Sequence, residues 1–263
     1  MRARSWLAIL GGVAAGLTVG AGMGIYSRRS RLRKPHFAGA ETPGVAAARG
    51  RLASWPAMRA MRGLLAGRAA RLADAYGRAP GGPRPAPWVE LGCGTGQLAL
   101  ALAQKVPGVH VVGIDRPAQV LAQARDAAAA VGLVGAVTFE SSDARALPFP
   151  DDSVDMLVSA CSLHHWADPA AALNEIARVL RPGAVFLICD LRRDMGPLPW
   201  LALWLAGRAI VPRELRGIGE PLGSRNAAYT AGEAARLAQG SALCGWRVTA
   251  GIAWLTIEGQ HWP

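Results

Sequence analysis

Apolar residues along this 263-residue chain fall into three kinds of run. The first is Trp6 to Tyr26, 21 residues without a charge. As a helix rising about 1.5 Å per residue it would reach roughly 32 Å, the thickness of a bilayer's hydrocarbon core. The second lies between Arg51 and Tyr76, where Leu52, Trp55, Met58, Met61, Leu65, Leu72 and Tyr76 fall close to helical spacing and predict a helix. The third begins at Trp88. Short apolar runs at Trp88–Leu91, His110–Asp115, Val137–Glu140, Val154–Ser159 and Ala184–Asp190 predict strands. Helical stretches at Gln97–Gln104, Pro117–Val131 and Ala170–Leu180 lie between them, and strand–helix alternation predicts an open α/β sheet. A helix near 231–240 and strands at Trp246–Ala250 and Ile252–Ile257, split by Gly251, close the chain. Residues 35–48 and the run Ala79–Pro87 read as linkers.

The first strand leads into Gly92, Cys93, Gly94, Thr95 and Gly96, and a helix follows. Glycines at alternate positions permit a sharp turn and close approach of a ligand to the backbone. The helix behind them offers free N–H groups, which together make a nucleotide site at the carboxyl end of a strand. Asp115 ends the second strand, where an acid can accept both ribose hydroxyls of a nucleoside. The Gly-x-Gly-x-Gly spacing differs from the dinucleotide fingerprint, and no second glycine fingerprint appears, so an NAD-linked oxidoreductase is a distant alternative.

Preceded by Glu90, this loop resembles motif I of the class I S-adenosyl-L-methionine (SAM)-dependent methyltransferases. Downstream, Ser141-Ser-Asp-Ala144, Leu147-Pro-Phe-Pro-Asp-Asp152, His164-His-Trp-Ala-Asp-Pro169 and Glu175 to Gly183 follow in the order of that family. Within it they resemble the branch of ubiquinone/menaquinone-biosynthesis C-methyltransferases, over about residues 88–190. The resemblance implies a Rossmann-like, seven-stranded, mostly parallel sheet with helices on both faces, and SAM as cofactor. It implies a cofactor-binding set of Glu90, Gly92, Cys93, Gly94, Gly96, Asp115, Arg116, Asp143, Ala144 and Ser159. Asp143 would accept the adenine amine and the Ala144 N–H would meet a ring nitrogen. The chain lacks the Asn/Asp-Pro-Pro-aromatic signature of amino-methylating DNA enzymes and the Pro-Cys nucleophile of the cytosine-C5 enzymes.

The net charge of +11 suggests nucleic acid until it is located. Residues 1–34 hold seven basic side chains and no acid, leaving 22 basic against 18 acidic in the rest. The body is only mildly basic, and no nucleic-acid partner is expected. Four cysteines without C-x-x-C spacing indicate neither a metal site nor a disulfide framework.

Five cations within residues 28–34 follow the apolar span, against two arginines before it. That bias predicts a single-pass membrane protein with its catalytic domain in the cytoplasm, where SAM is made. A cleaved signal peptide is the alternative. Gly12, Gly16, Gly20 and Gly24 would form a stripe on which two such helices could pair into a homodimer. The expected domains are an anchor at 1–34, a linker and capping helix at 35–87, and a methyltransferase domain at 88–263. Arginines accompany the 51–76 helix and suggest a solvated face or one lying against anionic lipid.

Residues 191–230 fit no sheet element and read as a lid insertion. Its run Leu198–Leu205 is too short to span a bilayer. It predicts either a helix packed on the core or a greasy element that receives a lipophilic substrate, with Trp200 and Trp204 on one face. His164 and His165 follow the fourth strand, and an imidazole titrates near pH 6.5, so either could serve as the catalytic base. The expected function is a membrane-anchored transfer of the SAM methyl group to a small hydrophobic acceptor such as a quinone precursor, lipid or terpenoid. The alternatives are a tethered enzyme acting on a soluble metabolite and a non-catalytic SAM-binding scaffold.

Overall fold

A computed structural model describes residues 42–76 and 86–263. The 6–26 span, its glycine stripe, the basic cluster at 28–34 and most of the Pro-rich run before the first strand lie outside those residues. Among the described residues no helix is long and apolar enough to cross a membrane.

Seven strands form one sheet: β1 (Trp88–Leu91), β2 (Val111–Asp115), β3 (Val137–Ser141), β4 (Val154–Ala160), β5 (Leu180–Leu191), β6 (Trp246–Ala250) and β7 (Trp254–Gln260). Their order is β3-β2-β1-β4-β5-β7-β6, with β1 to β5 parallel and β7 antiparallel to both its neighbours. The order reverses between β1 and β4, so the carboxyl ends of these strands open a crevice there.

Alternate residues of the central strands enter two separate cores. Trp88, Val111, Met156, Val185 and Leu187 pack on one face. They meet α2 (Pro56–Ala75), α3 (Gln97–Lys105) and α4 (Ala118–Ala130) through Leu65, Leu98, Leu102 and Leu121. Val89, Leu91, Val112, Leu157, Phe186 and Ile188 pack on the other face, against α5 (Pro169–Val179) and α9 (Ala231–Gln239). All four residues of β1 are buried, Glu90 among them. A capping box between Thr230 and Glu233 starts α9.

The first helical stretch differs from the sequence expectation. It is two helices, α1 (Pro43–Ala53) and α2, and α1 occupies part of the expected linker. Thr42 caps α1 by accepting from the Val45 N–H. Trp55 precedes Pro56 and is forced out of the helical region, with φ −64° and ψ 144°, so the periodic pattern continues across a break. Nor is the arginine face all solvated. Arg62 is buried and donates to the Ala53 carbonyl. Arg68 donates through Nε and Nη2 to both carboxylate oxygens of Glu258, each at 2.7 Å, and pins α2 to β7.

Two strand boundaries also shift. β5 begins at Leu180, not Ala184, and the register jumps from Val154 opposite Leu180 to Met156 opposite Val185, so the Arg181-Pro-Gly183 segment is a bulge inside the sheet. The Gly251 N–H donates to the Trp254 carbonyl at 2.7 Å, which closes a turn and delays β7 to Trp254. Residues 191–230 form three helices, α6 (Pro197–Ala209), α7 (Arg213–Gly217) and α8 (Leu222–Ala227), with no named strand among them beyond the end of β5.

Candidate functional site

The glycine loop joins β1 to α3 at the crevice. Gly92, Gly94 and Gly96 have φ of 75°, 53° and 74°, in the left-handed region that favours glycine. A Cβ on Gly92 would lie 2.0 Å from the Ser162 Oγ, and one on Gly96 would lie 2.5 Å from the Phe139 ring. The loop is therefore wedged between the turn after β4 and a side chain of β3. Behind it, Glu90 is buried and accepts the Ala99 N–H at 2.7 Å, which caps the first turn of α3. Burial pushes its carboxyl up to about 8, and the nearby charge of Asp115 adds to the rise.

Asp115, at the end of β2, accepts from the Gly94 N–H at 2.7 Å with one oxygen and from the Arg116 N–H at 2.7 Å with the other. A carboxylate oxygen has lone pairs for more than one donor, so both oxygens keep capacity toward a ligand. Asp143 follows β3. The Arg145 side chain, donating from Nε at 2.9 Å and Nη2 at 3.1 Å, holds its carboxyl down to about 2, with help from the Arg145 backbone N–H.

The turn after β4 supplies the opposite wall. Cys161 has a φ of 54°, an uncommon backbone conformation for a residue with a side chain. It brings Ser162 against Gly92, and the Ser162 Oγ accepts the Trp166 indole N–H at 2.9 Å. A 3-10 turn, Leu163–His165, follows. Its two histidines are not equivalent. His165 lines the cleft. His164 is buried, and its Nδ1 lies 2.8 Å from Oδ1 of Asp190 at the end of β5. Asp168 lines the cleft and also caps α5 by accepting the Ala171 N–H at 3.0 Å.

One cleft thus gathers Gly92, Asp115, Arg116, Asp143, Ala144 and His165 from the expected set. Glu90, Cys93, Ser159 and His164 are buried behind its surface. Ser159 donates its hydroxyl to the Leu91 carbonyl at 2.8 Å and ties β4 to β1, and burial pushes the Cys93 thiol far up, as suits a packing residue. Sequence reasoning missed Ser162, Arg145, Trp166, Asp168 and Asp190 as parts of the site. The acids among them fall at element ends in the sequence, but nothing in the sequence shows that Ser162 stands against the distant Gly92. Among the described residues no cluster of ligands suits a metal ion.

This cleft at the switch point of a 3-2-1-4-5-7-6 sheet is lined by Gly92, where a Cβ would meet the Ser162 side chain, and by acids after β2 and β3, while Gly94 and Gly96 stand outside its lining. It fits a nucleoside ligand with a polar tail. A methyltransferase domain family matches residues 89–188. Over these residues the chain is similar to class I methyltransferases, the family whose cofactor is SAM.

The domain is similar to enzymes of quinone biosynthesis. A demethylmenaquinone methyltransferase of Thermus thermophilus is 38% identical over 141 residues, 54% of this chain and 61% of that protein. A 2-phytyl-1,4-naphtoquinone methyltransferase of Synechococcus elongatus is 36% identical over 111 residues, 42% of this chain and 48% of that one. The chain thus spans about half to three-fifths of these curated relatives. A SAM-dependent methyltransferase structure from Aquifex aeolicus shares the fold at TM-score 0.52 and 20% identity, covering 73% of this chain and 88% of that one.

Proposed function

We propose that this protein moves the methyl group of SAM to a small, lipophilic acceptor of the quinone type. The observation that carries the reading is one cleft in which Asp115, Asp143 and His165 meet at the carboxyl ends of consecutive parallel strands. In this reading Asp115 accepts the ribose hydroxyls, Asp143 the adenine amine, and the Ala144 N–H faces a ring nitrogen. The loop from Gly92 to Gly96 lies against the amino-acid half, and Glu90 and Ser159 hold that loop and its neighbouring strand in place.

SAM, when bound, supplies a methyl group made electrophilic by a positively charged sulfur. What the chain's residues contribute is alignment and the exclusion of water. His165, in the cleft, takes up the proton that a carbon or oxygen acceptor loses. His164, oriented by Asp190, braces the His165 ring, whose centroid lies 4.0 Å away.

The acceptor class is supported by the substrates that the relatives are named for, a demethylated menaquinone and a phytylated naphthoquinone. It is also supported by the charge-free run at 6–26, which would tether the enzyme where such molecules reside, its body on the cytoplasmic side. The test is transfer of label from methyl-labelled SAM by the full chain. It is offered a reduced prenylated naphthoquinone and its tail-less counterpart. Label in the prenylated product supports the reading, and equal or better use of the tail-less compound contradicts the lipophilic acceptor.

A further inference from the structure

Helix α6 is apolar around its whole circumference except at Arg208, yet the protein buries only one side of it. Trp200 and Leu203 pack toward Leu191, Met195 and Ala228, and Gly207 is buried against Pro221. At 100° per residue the opposite side carries Leu198, Leu201 and Leu205, which are 78%, 42% and 52% exposed. Soluble helices normally present polar residues on the side away from the core, so three leucines there call for a second apolar phase.

Charge says which phase. α6 contains no acid, and its one charged side chain, Arg208, sits at the C-terminal edge of the leucine face, 3.8 Å over the Trp204 ring. Arg216 donates to the Arg208 carbonyl at 3.1 Å, and Arg213 and Arg216 are exposed beside it, while the one acid of α7, Glu214, is engaged by Arg51. Leucines bordered by arginines and a Trp are the make-up of a helix that lies in the plane of an anionic lipid surface.

The position in the chain agrees. Val211 and Leu215, after α6, pack on Val45 and Ala48 of α1, so the layer that carries α6 also receives the chain from residues 1–41. Fifteen residues separate Tyr26 from Thr42, and the span between the two can reach at most about 55 Å, which keeps this layer within range of a bilayer holding 6–26. On the inner side, α8 packs on both α6 and the turn that carries His164 and His165.

We propose that the Leu198, Leu201 and Leu205 face of α6 beds into the headgroup–acyl boundary of an anionic membrane, so that a lipophilic acceptor passes to the cleft without crossing water. The purpose of the contact rests on the lipophilic-acceptor reading, but the contact itself can be measured without turnover. The full chain is placed in phosphatidylcholine vesicles containing one quarter phosphatidylglycerol. Spin labels are attached at Leu201→Cys, Leu205→Cys or Val134→Cys, an exposed position on another part of the body. The signal of the unsubstituted chain, with its four native cysteines, is subtracted. Labels at 201 and 205 should collide several-fold more with oxygen, relative to an aqueous nickel chelate, than the label at 134, and Arg208→Glu should reduce that ratio. A ratio equal to that at 134 means the face is in water and overturns the proposal. Shielding from both reagents means residues 1–41 or a second copy cover the face, and overturns it as well.

Discussion

The Nδ1 of His164 lies 2.8 Å and 2.9 Å from the two carboxylate oxygens of Asp190, and both side chains are almost fully buried. The same carboxylate accepts the backbone N–H groups of His164 at 2.9 Å and Leu191 at 2.7 Å. A carboxylate only accepts, so Nδ1 carries the hydrogen and the ring is locked in orientation. Asp190→Asn sets an amide donor against these donors. Leaving a buried donor unmatched costs about 1–3 kcal/mol. The expected result is a melting temperature lower by about 2–12 °C, since each kcal/mol moves a chain of this size by about 2–4 °C. A melting curve matching the unsubstituted protein would mean the contact is dispensable.

His165 faces the cleft and His164 does not, so the two substitutions should separate. His165→Ala is expected to lower turnover about 10²- to 10⁴-fold at saturating SAM, the range for loss of a general base. SAM affinity should stay within a few-fold. Full turnover in His165→Ala would remove the histidine base from the mechanism.

The wedge between Gly92 and Ser162 gives a paired test. Gly92→Ala places a Cβ 2.0 Å from the Ser162 Oγ and 2.5 Å from its Cβ, at a φ of 75°. SAM binding should be lost. Adding Ser162→Gly removes both clashes but leaves the left-handed backbone cost, about 1–2 kcal/mol for a residue with a side chain. Binding should return partly, about 5- to 30-fold weaker than in the unsubstituted chain. No recovery in the double variant would show that Ser162 is not what constrains the loop.

Glu90 makes stability depend on pH. Its carboxyl titrates near 8 in the fold and near 4.3 unfolded, so the native state favours the neutral form. The stability it contributes is complete below pH 4, declines as pH rises, and is lost above about 8. Glu90→Gln keeps an oxygen for the Ala99 N–H and removes the titration. Between pH 6 and 9 the unsubstituted protein should therefore lose more stability than the variant in chemical denaturation. Equal losses would contradict the assignment.

The depressed carboxyl of Asp143 works in the opposite sense. It stays ionised until pH falls toward 2, so its share of SAM affinity should be level from pH 8 to 5. Arg145→Ala returns the group toward the ordinary range near 3.9, and affinity should then begin to fall at about pH 4.5. Identical pH profiles for the two proteins would show that Arg145 does not set the titration.

The sheet was readable because β1 to β4 are short segments rich in β-branched and other apolar residues, separated by helical periodicity or turn residues. Asp115 was readable from its place at a strand end, and Asp143 through the resemblance to the methyltransferases. What was not readable depends on contacts between distant segments. Glu90 looks like a ligand residue in a motif, but its backbone direction turns it beneath α3. Arg62 and Arg68 follow a helical face that the sequence shows as basic, and only the fold reveals Ala53 and Glu258 waiting for them. The helices of 191–230 are short and punctuated by Pro and Gly, so their apolar content was visible but their layering was not.

Calorimetric titration of the full chain with SAM is the most direct measurement, repeated with Asp115→Ala and Asp143→Ala. Micromolar binding that weakens at least about tenfold in each variant, a loss of roughly 1.4 kcal/mol or more, is the expected result. No SAM binding by the unsubstituted protein, or affinity indifferent to both acids, would contradict the assignment of this cleft to the cofactor.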